Sequence, residues 1–125
     1  MATIADQLSS AAARGDLQLA RTMLEEGADP NVRNSFGRSP IQVMMMGSSQ
    51  MAQLLIDYLA DPNIADPSTG MTPAHDAAGS GFLDTLLVLL RGGAYLHRPL
   101  DNWGRCPVDL ASAQMMDSLS ELGLV

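Results

Sequence analysis

The amino-acid sequence predicts an all-α repeat protein, a stack of helix pairs joined by projecting loops, and two observations carry that prediction. The first is internal similarity. From Thr72 the chain reads Thr-Pro-Ala-His-Asp-Ala-Ala-Gly-Ser-Gly, then an apolar run to Leu90 and Gly92-Gly-Ala94. From Ser39 it reads Ser-Pro-Ile-Gln-Val-Met-Met-Met-Gly, then an apolar run to Ile56 and Ala60-Asp-Pro-Asn63. The offset is 33 residues at the opening Ser/Thr and 34 at the glycine that follows. The second observation is a fixed spacing: Gly15, Gly47 and Gly81 precede Ala28, Ala60 and Ala94 by 13 residues each. One supersecondary unit of that size cannot bury its apolar face alone, so copies must stack.

A repeat of this length that opens Thr-Pro-x-His is an ankyrin repeat. The fold expected is therefore a single ankyrin domain, a solenoid of four repeats with β-hairpin-like finger loops, divided at about 5–33, 34–66, 67–100 and 101–125. Ser39 and Thr72 stand as helix N-caps before Pro40 and Pro73, where proline is tolerated because the first helical N–H has no partner. The second helices show an i, i+3, i+4 apolar stripe expected to face the core. The stripes are Leu17, Ala20, Met23 and Leu24, then Met51, Leu54, Leu55 and Tyr58, then Leu83, Leu86, Leu87 and Leu90. Between units lie the finger tips Asn34-Ser-Phe-Gly37, Asp66-Pro-Ser-Thr-Gly70 and Asp101-Asn-Trp-Gly104. Gly37, Gly70 and Gly104 are read as structural, supplying the positive φ of each tip. The terminal units depart from the pattern: the first lacks Thr-Pro, and the last is short where the turn between its helices belongs.

Composition narrows the function classes. Of 125 residues, 46% are hydrophobic but only 4% aromatic, so the core must be built from Leu, Met, Ala and Val. The formal net charge is −7 with no basic run. Such a chain repels nucleic acid and favours a basic protein partner. Every cationic side chain is arginine. No segment is apolar and long enough to span a bilayer, the first residues do not form a signal peptide, and the lone Cys106 cannot make an internal disulfide. A monomer of the cytoplasm and nucleus is expected, with no membrane and no nucleic acid as partner. No nucleophile, base and oxyanion set can be assembled, so no enzyme activity and no cofactor are expected. His75-Asp76 spells a metal-hydrolase dipeptide, but its further ligands are missing and no metal site is expected.

The second unit breaks the pattern. Ser39 to Gly47 is one residue shorter than Thr72 to Gly81, and Met44-Met45-Met46 replaces the Ala-Ala pair that lets neighbouring helices approach. Its first helix is expected to be degraded to a turn or short 3₁₀ piece.

That defect carries a specific resemblance. The string Asn34-Ser-Phe-Gly-Arg-Ser-Pro-Ile-Gln-Val-Met-Met-Met-Gly47 resembles the ankyrin-repeat inhibitors of the cyclin D-dependent kinases. So do His75-Asp-Ala-Ala78, Gly81-Phe-Leu-Asp-Thr-Leu86, Trp103-Gly-Arg105 and Pro107-Val-Asp-Leu-Ala111. The resemblance implies binding to the monomeric kinase catalytic subunit beside the ATP cleft, opposing cyclin binding and so restraining entry into S phase. It implies kinase contacts at Asp76, which would pair with an arginine, and at Asp66, Met44, Met45, Phe36, Phe82 and Asp84. A general ankyrin scaffold that binds another protein is the alternative.

Other residues read as structural. His75 is expected to link neighbouring loops by hydrogen bonds, with Asp109 in its place in the fourth unit and Cys106 a small buried filler. Trp103 is either a partner anchor or packed on the neighbouring finger. Leu59 occupies the helix exit where Gly27 and Gly93 stand in other units; either it is held at the positive φ usual there, or the backbone differs and its side chain plugs the interface between the second and third units.

Overall fold

The computed structural model describes residues 2–125. Among them are seven α-helices and one 3₁₀ turn, and no strand. The helices are α1 (Ile4–Arg14), α2 (Leu17–Glu25), α3 (Pro40–Val43), α4 (Ser49–Asp57), α5 (Pro73–Ser80), α6 (Leu83–Arg91) and α7 (Ala113–Glu121). The 3₁₀ turn, Pro107–Leu110, precedes α7. First helices pack on first helices, α1 on α3 and α5 on the 3₁₀ turn, while second helices pack α2 on α4 and α4 on α6. Two helical layers result, the arrangement expected of a solenoid.

The layers meet over one core. Leu8, Ala11 and Ala12 of α1, Ala74, Ala77 and Ala78 of α5, and Met51, Leu55, Leu86 and Leu89 of the second helices are buried in it. Small residues on α1 and α5 leave room for the neighbouring backbone. In α6 the buried positions are Thr85, Leu86, Val88 and Leu89, and Leu87, expected in the core, is only half-buried. The apolar face of that helix turns about one position from the stripe read in the sequence.

α3 ends after a single turn, as its shortened sequence requires. Met44 leaves the helix at φ −55°, ψ 157°. The Ala12 carbonyl, in the last turn of α1 where intrahelical partners run out, takes the Gly15 N–H at 3.2 Å and also accepts from the Met45 N–H at 2.9 Å. An inter-repeat bond thus replaces the missing helical turn. Gly15 and Gly81 close α1 and α5 at φ 73° and 80°. Gly47 is not at positive φ, because the helix it would have closed has already ended. The 3₁₀ turn of the fourth unit shows that its first helix, too, is reduced to one turn.

The finger tips are turns, each closed by two backbone bonds: Asn34 N to Arg38 O, Asp66 N to Met71 O and Asp101 N to Arg105 O, all 2.8 Å, and the return bonds from the N–H groups of Gly37, Gly70 and Gly104 to the carbonyls of Asn34, Asp66 and Asp101. In each tip the leading Asn or Asp side chain accepts two backbone N–H groups, for example Phe36 and Arg38 on Asn34 Oδ1. Gly37, Gly70 and Gly104 take φ 79°, 74° and 76°. At Gly70 a Cβ would also lie 2.7 Å from Asn102 Oδ1 of the next finger, so that glycine serves close packing as well as the turn.

Candidate protein-binding site

His75 is fully buried and bridges two repeats. Its Nδ1 accepts from the Thr72 N–H at 3.0 Å, which leaves Nε2 as the protonated nitrogen donating to Arg105 O at 2.8 Å. Asp109 repeats the first half of that role, accepting from the Cys106 N–H at 2.9 Å and from its thiol at 3.2 Å. The Cys106 N–H lowers the Asp109 pKa, while burial raises that of the Cys106 thiol and keeps it protonated. His75 and Cys106 are thus structural side chains, as expected.

Asp76 follows His75 at the start of α5 and differs from its acidic neighbours. It is half-buried, yet its carboxylate makes no hydrogen bond and no ion pair among the described residues. Burial pushes its pKa above the ordinary carboxylate value, opposed by the nearby His75 ring and reinforced by the Asp66 charge. Other acids that the fold covers are satisfied within it. Asp6 accepts from the N–H and hydroxyl of Ser35, at 2.8 and 2.7 Å, and its pKa falls. The buried Asp101 is pushed up by burial, but the N–H groups of Arg105 and Trp103 and the Arg105 guanidinium outweigh this and hold it low.

Asp66 was expected on the kinase-contacting face, and the structure commits its carboxylate inside the molecule. Arg38 reaches it with two nitrogens, at 2.7 and 3.2 Å, and the Ser68 and Thr69 N–H groups donate to it. These contacts, Arg38 foremost, lower its pKa. Its role is to build the second finger and tie it to the first. Met44 also faces inward. Its side chain is 4% exposed and fills the core, because the extended backbone after α3 turns it inward. Met45 is the exposed one, lying over Gly15, where a Cβ would meet its Sδ at 3.0 Å.

Phe36 (77% exposed) projects from the first finger tip. Phe82 is 41% exposed at the start of α6, and with Asp84 it lines a shallow depression with Gly47, Gly81, Leu83 and Thr85. The structure therefore brings Phe82 and Asp84 together and sets the second unit beside them at Gly47. Trp103 is exposed at its tip, and its own finger's Arg105 lies over the ring, 5.2 Å from ring centre to guanidinium carbon. No group of His, Cys, Asp and Glu side chains among the described residues has metal-binding geometry.

Several contacts were not read from the sequence. Asn31 donates to Leu59 O at 3.1 Å and accepts from Asp61 N at 2.7 Å, and Asn63 donates to Gly93 O at 3.0 Å. The recurring Asp29-Pro-Asn31 and Asp61-Pro-Asn63 are the signal that could have revealed this ladder. Nothing local marks Arg38 or Ser35 as the partners of Asp66 and Asp6, because those pairs span 28 and 29 residues.

The ankyrin-repeat family profile, in three copies, matches residues 8–99. Over 107 residues the chain is 61% identical to mouse cyclin-dependent kinase 4 inhibitor B, covering 86% of this chain and 82% of that protein. It is 60% identical over 107 residues to human cyclin-dependent kinase inhibitor 2A, covering 86% of this chain and 68% of that protein. The chain belongs to the ankyrin-repeat cyclin-dependent kinase inhibitors. A transient receptor potential channel of Drosophila melanogaster shares only 38% identity over 71 residues, 7% of its length, as expected where repeats alone are common. The similarity to the inhibitors extends beyond repeat architecture, so residues of this inhibitor chain that the fold does not use become the natural contact residues.

Proposed function

We propose that this chain inhibits cyclin D-dependent kinases, the pair of cyclin-dependent kinases four and six, by binding the catalytic subunit beside the ATP cleft and opposing cyclin binding. It acts by binding one kinase conformation better than another and carries out no reaction of its own. Restraint of the G1-to-S transition, in cytoplasm and nucleus, follows from that activity. The observation that carries the reading is Asp76, a half-buried carboxylate without an internal partner. Such a group is costly to keep in a free domain and is ready to meet an arginine. Met45, Phe36, Phe82 and Asp84 supply exposed apolar and acidic surface for the same partner. Asp66 and Met44 contribute by shaping the second finger and the short α3.

Calorimetric titration of the monomeric kinase with the wild-type chain and Asp76→Asn tests this. Loss of one partner of a desolvated charge pair is expected to weaken binding by roughly 2–5 kcal/mol, while the free variant melts no lower than wild type. No heat of binding with the wild type would favour the general scaffold, and an unchanged Kd for the variant would remove Asp76 from the site.

A further inference from the structure

We infer that Gly47 is a positioning residue of the binding face, a glycine because the Phe82 ring of the next unit rests on it. The inference deepens the proposed kinase-binding function and rests on it.

Phe82 stands at the N-cap of α6 and makes no capping hydrogen bond. The same position is Asp16, Ser48 and Ser112 in the other units, and each of those side chains caps its helix by accepting an N–H from Leu19, Met51 or Met115. Losing such a cap weakens a helix, so the third unit forgoes stability to carry a ring there. That ring is partly exposed, so burial offsets the loss only in part.

What the ring touches is Gly47. A Cβ built on Gly47 would lie 3.3 Å from Phe82 Cε1, a tight approach, and 3.4 Å from Cζ, at the near edge of ordinary contact. No backbone demand explains this glycine, since Gly47 lies outside the left-handed region that Gly15 and Gly81 occupy. The contact joins the two elements that carry the candidate binding residues. On one side is the turn Met44–Gly47, which has no helix to hold it and is fixed upstream by the Met45–Ala12 bond. On the other is Phe82, followed two residues later by Asp84. With the upstream end bonded to α1 and the downstream end under the ring, the turn and the start of α6 form one preassembled surface. A methyl group at position 47 would force the ring to shift on its seat.

The test is a double-mutant cycle read by titration against the kinase, with wild type, Gly47→Ala, Phe82→Leu and the double variant. Alanine suits the backbone at position 47 and restricts the unfolded chain, so the melting midpoint of Gly47→Ala should stay level or rise. Its Kd should nevertheless weaken roughly five- to twentyfold, and in the Phe82→Leu background the same change should have little further effect, the signature of coupled neighbours. Wild-type affinity for Gly47→Ala, or an equal loss in both backgrounds, overturns the inference. A wild-type chain that does not bind the kinase overturns the proposed function instead. The seat itself is then decided in the free chain by NMR: nuclear Overhauser contacts between the Phe82 ring and the Gly47 α-protons in the wild type uphold it, and their absence refutes it.

Discussion

Leu59 is held at φ 70°, the only residue other than glycine with positive φ among those described, and 83% of its surface is exposed. Gly27 and Gly93 take φ 98° and 106° at the same exit in the neighbouring units. The strain of a Cβ in this conformation costs about 1–2 kcal/mol, and a side chain so exposed returns little by packing. Leu59→Gly keeps the carbonyl that Asn31 binds and relieves the strain, while adding unfolded-state entropy worth about 0.4–1 kcal/mol. A net gain of about 0.5–1 kcal/mol is expected in a thermal melt; a clear fall in midpoint would show that the leucine packs. Asp76 is the second residue whose local cost is uncompensated in the free chain. Its carboxyl is raised above the ordinary value by burial. Ionisation therefore opposes folding at neutral pH, and that penalty is relieved as pH falls through the folded value.

At the scale of elements, the stack is joined by single side chains that replace missing backbone structure. His75 ties α5 to the third finger, and Arg38 ties the first finger to the second through Asp66. The 3₁₀ turn of the fourth unit is only four residues long, and it packs on α5. His75→Ala strips the buried Thr72 N–H of its partner and removes one of the two hydrogen bonds that the Arg105 carbonyl accepts, the other coming from the Asp101 N–H. A buried group left unsatisfied costs about 1–3 kcal/mol, so a loss of at least that size is expected in urea unfolding. The Thr72 amide should also lose its protection against hydrogen exchange. Protection unchanged from wild type would mean that water or another side chain takes over the bond.

For the whole molecule, pH reads out the balance of these carboxylates. Asp6, Asp66, Asp101 and Asp109 all have lowered pKa values. Their stabilisation is complete above the unfolded value of about 3.9 and is lost as pH falls through the folded values. Asp76 has the opposite sign. Stability measured by urea unfolding should therefore rise slightly from neutral to mildly acidic pH and fall steeply below about pH 4. In Asp76→Asn the mild-acid rise should shrink; if it persists unchanged, Asp76 is not its source. With two first helices reduced to one turn, total stability at neutral pH is expected on the order of 2–5 kcal/mol, at or below the lower edge of the usual range.

The repeat period, the capping residues before Pro40 and Pro73, the tip glycines and the broken α3 were all legible in the residues, and the odd exit at Leu59 was visible, though only the structure shows its positive φ. Each is a local matter: a φ that only glycine tolerates, a proline at a first helical position, one residue too few for a helical turn. The family could be read for the same reason, since its motifs are contiguous strings. The contact residues were legible only in part. Whether Met44 or Met45 faces outward depends on one ψ angle after α3, and that angle is set by a bond to Ala12 more than 30 residues away. Whether Asp66 is free depends on Arg38 reaching it from the previous finger, and Asp76 stands out only because no such partner reaches it. Side-chain exposure and ion pairing are settled by packing between repeats, where contacts separated by a full period in the chain compete for the same charged and apolar groups. Local pattern fixed the units and their register; the stacking of one unit on the next decided which carboxylates and methionines were consumed by the fold and which were left for a partner.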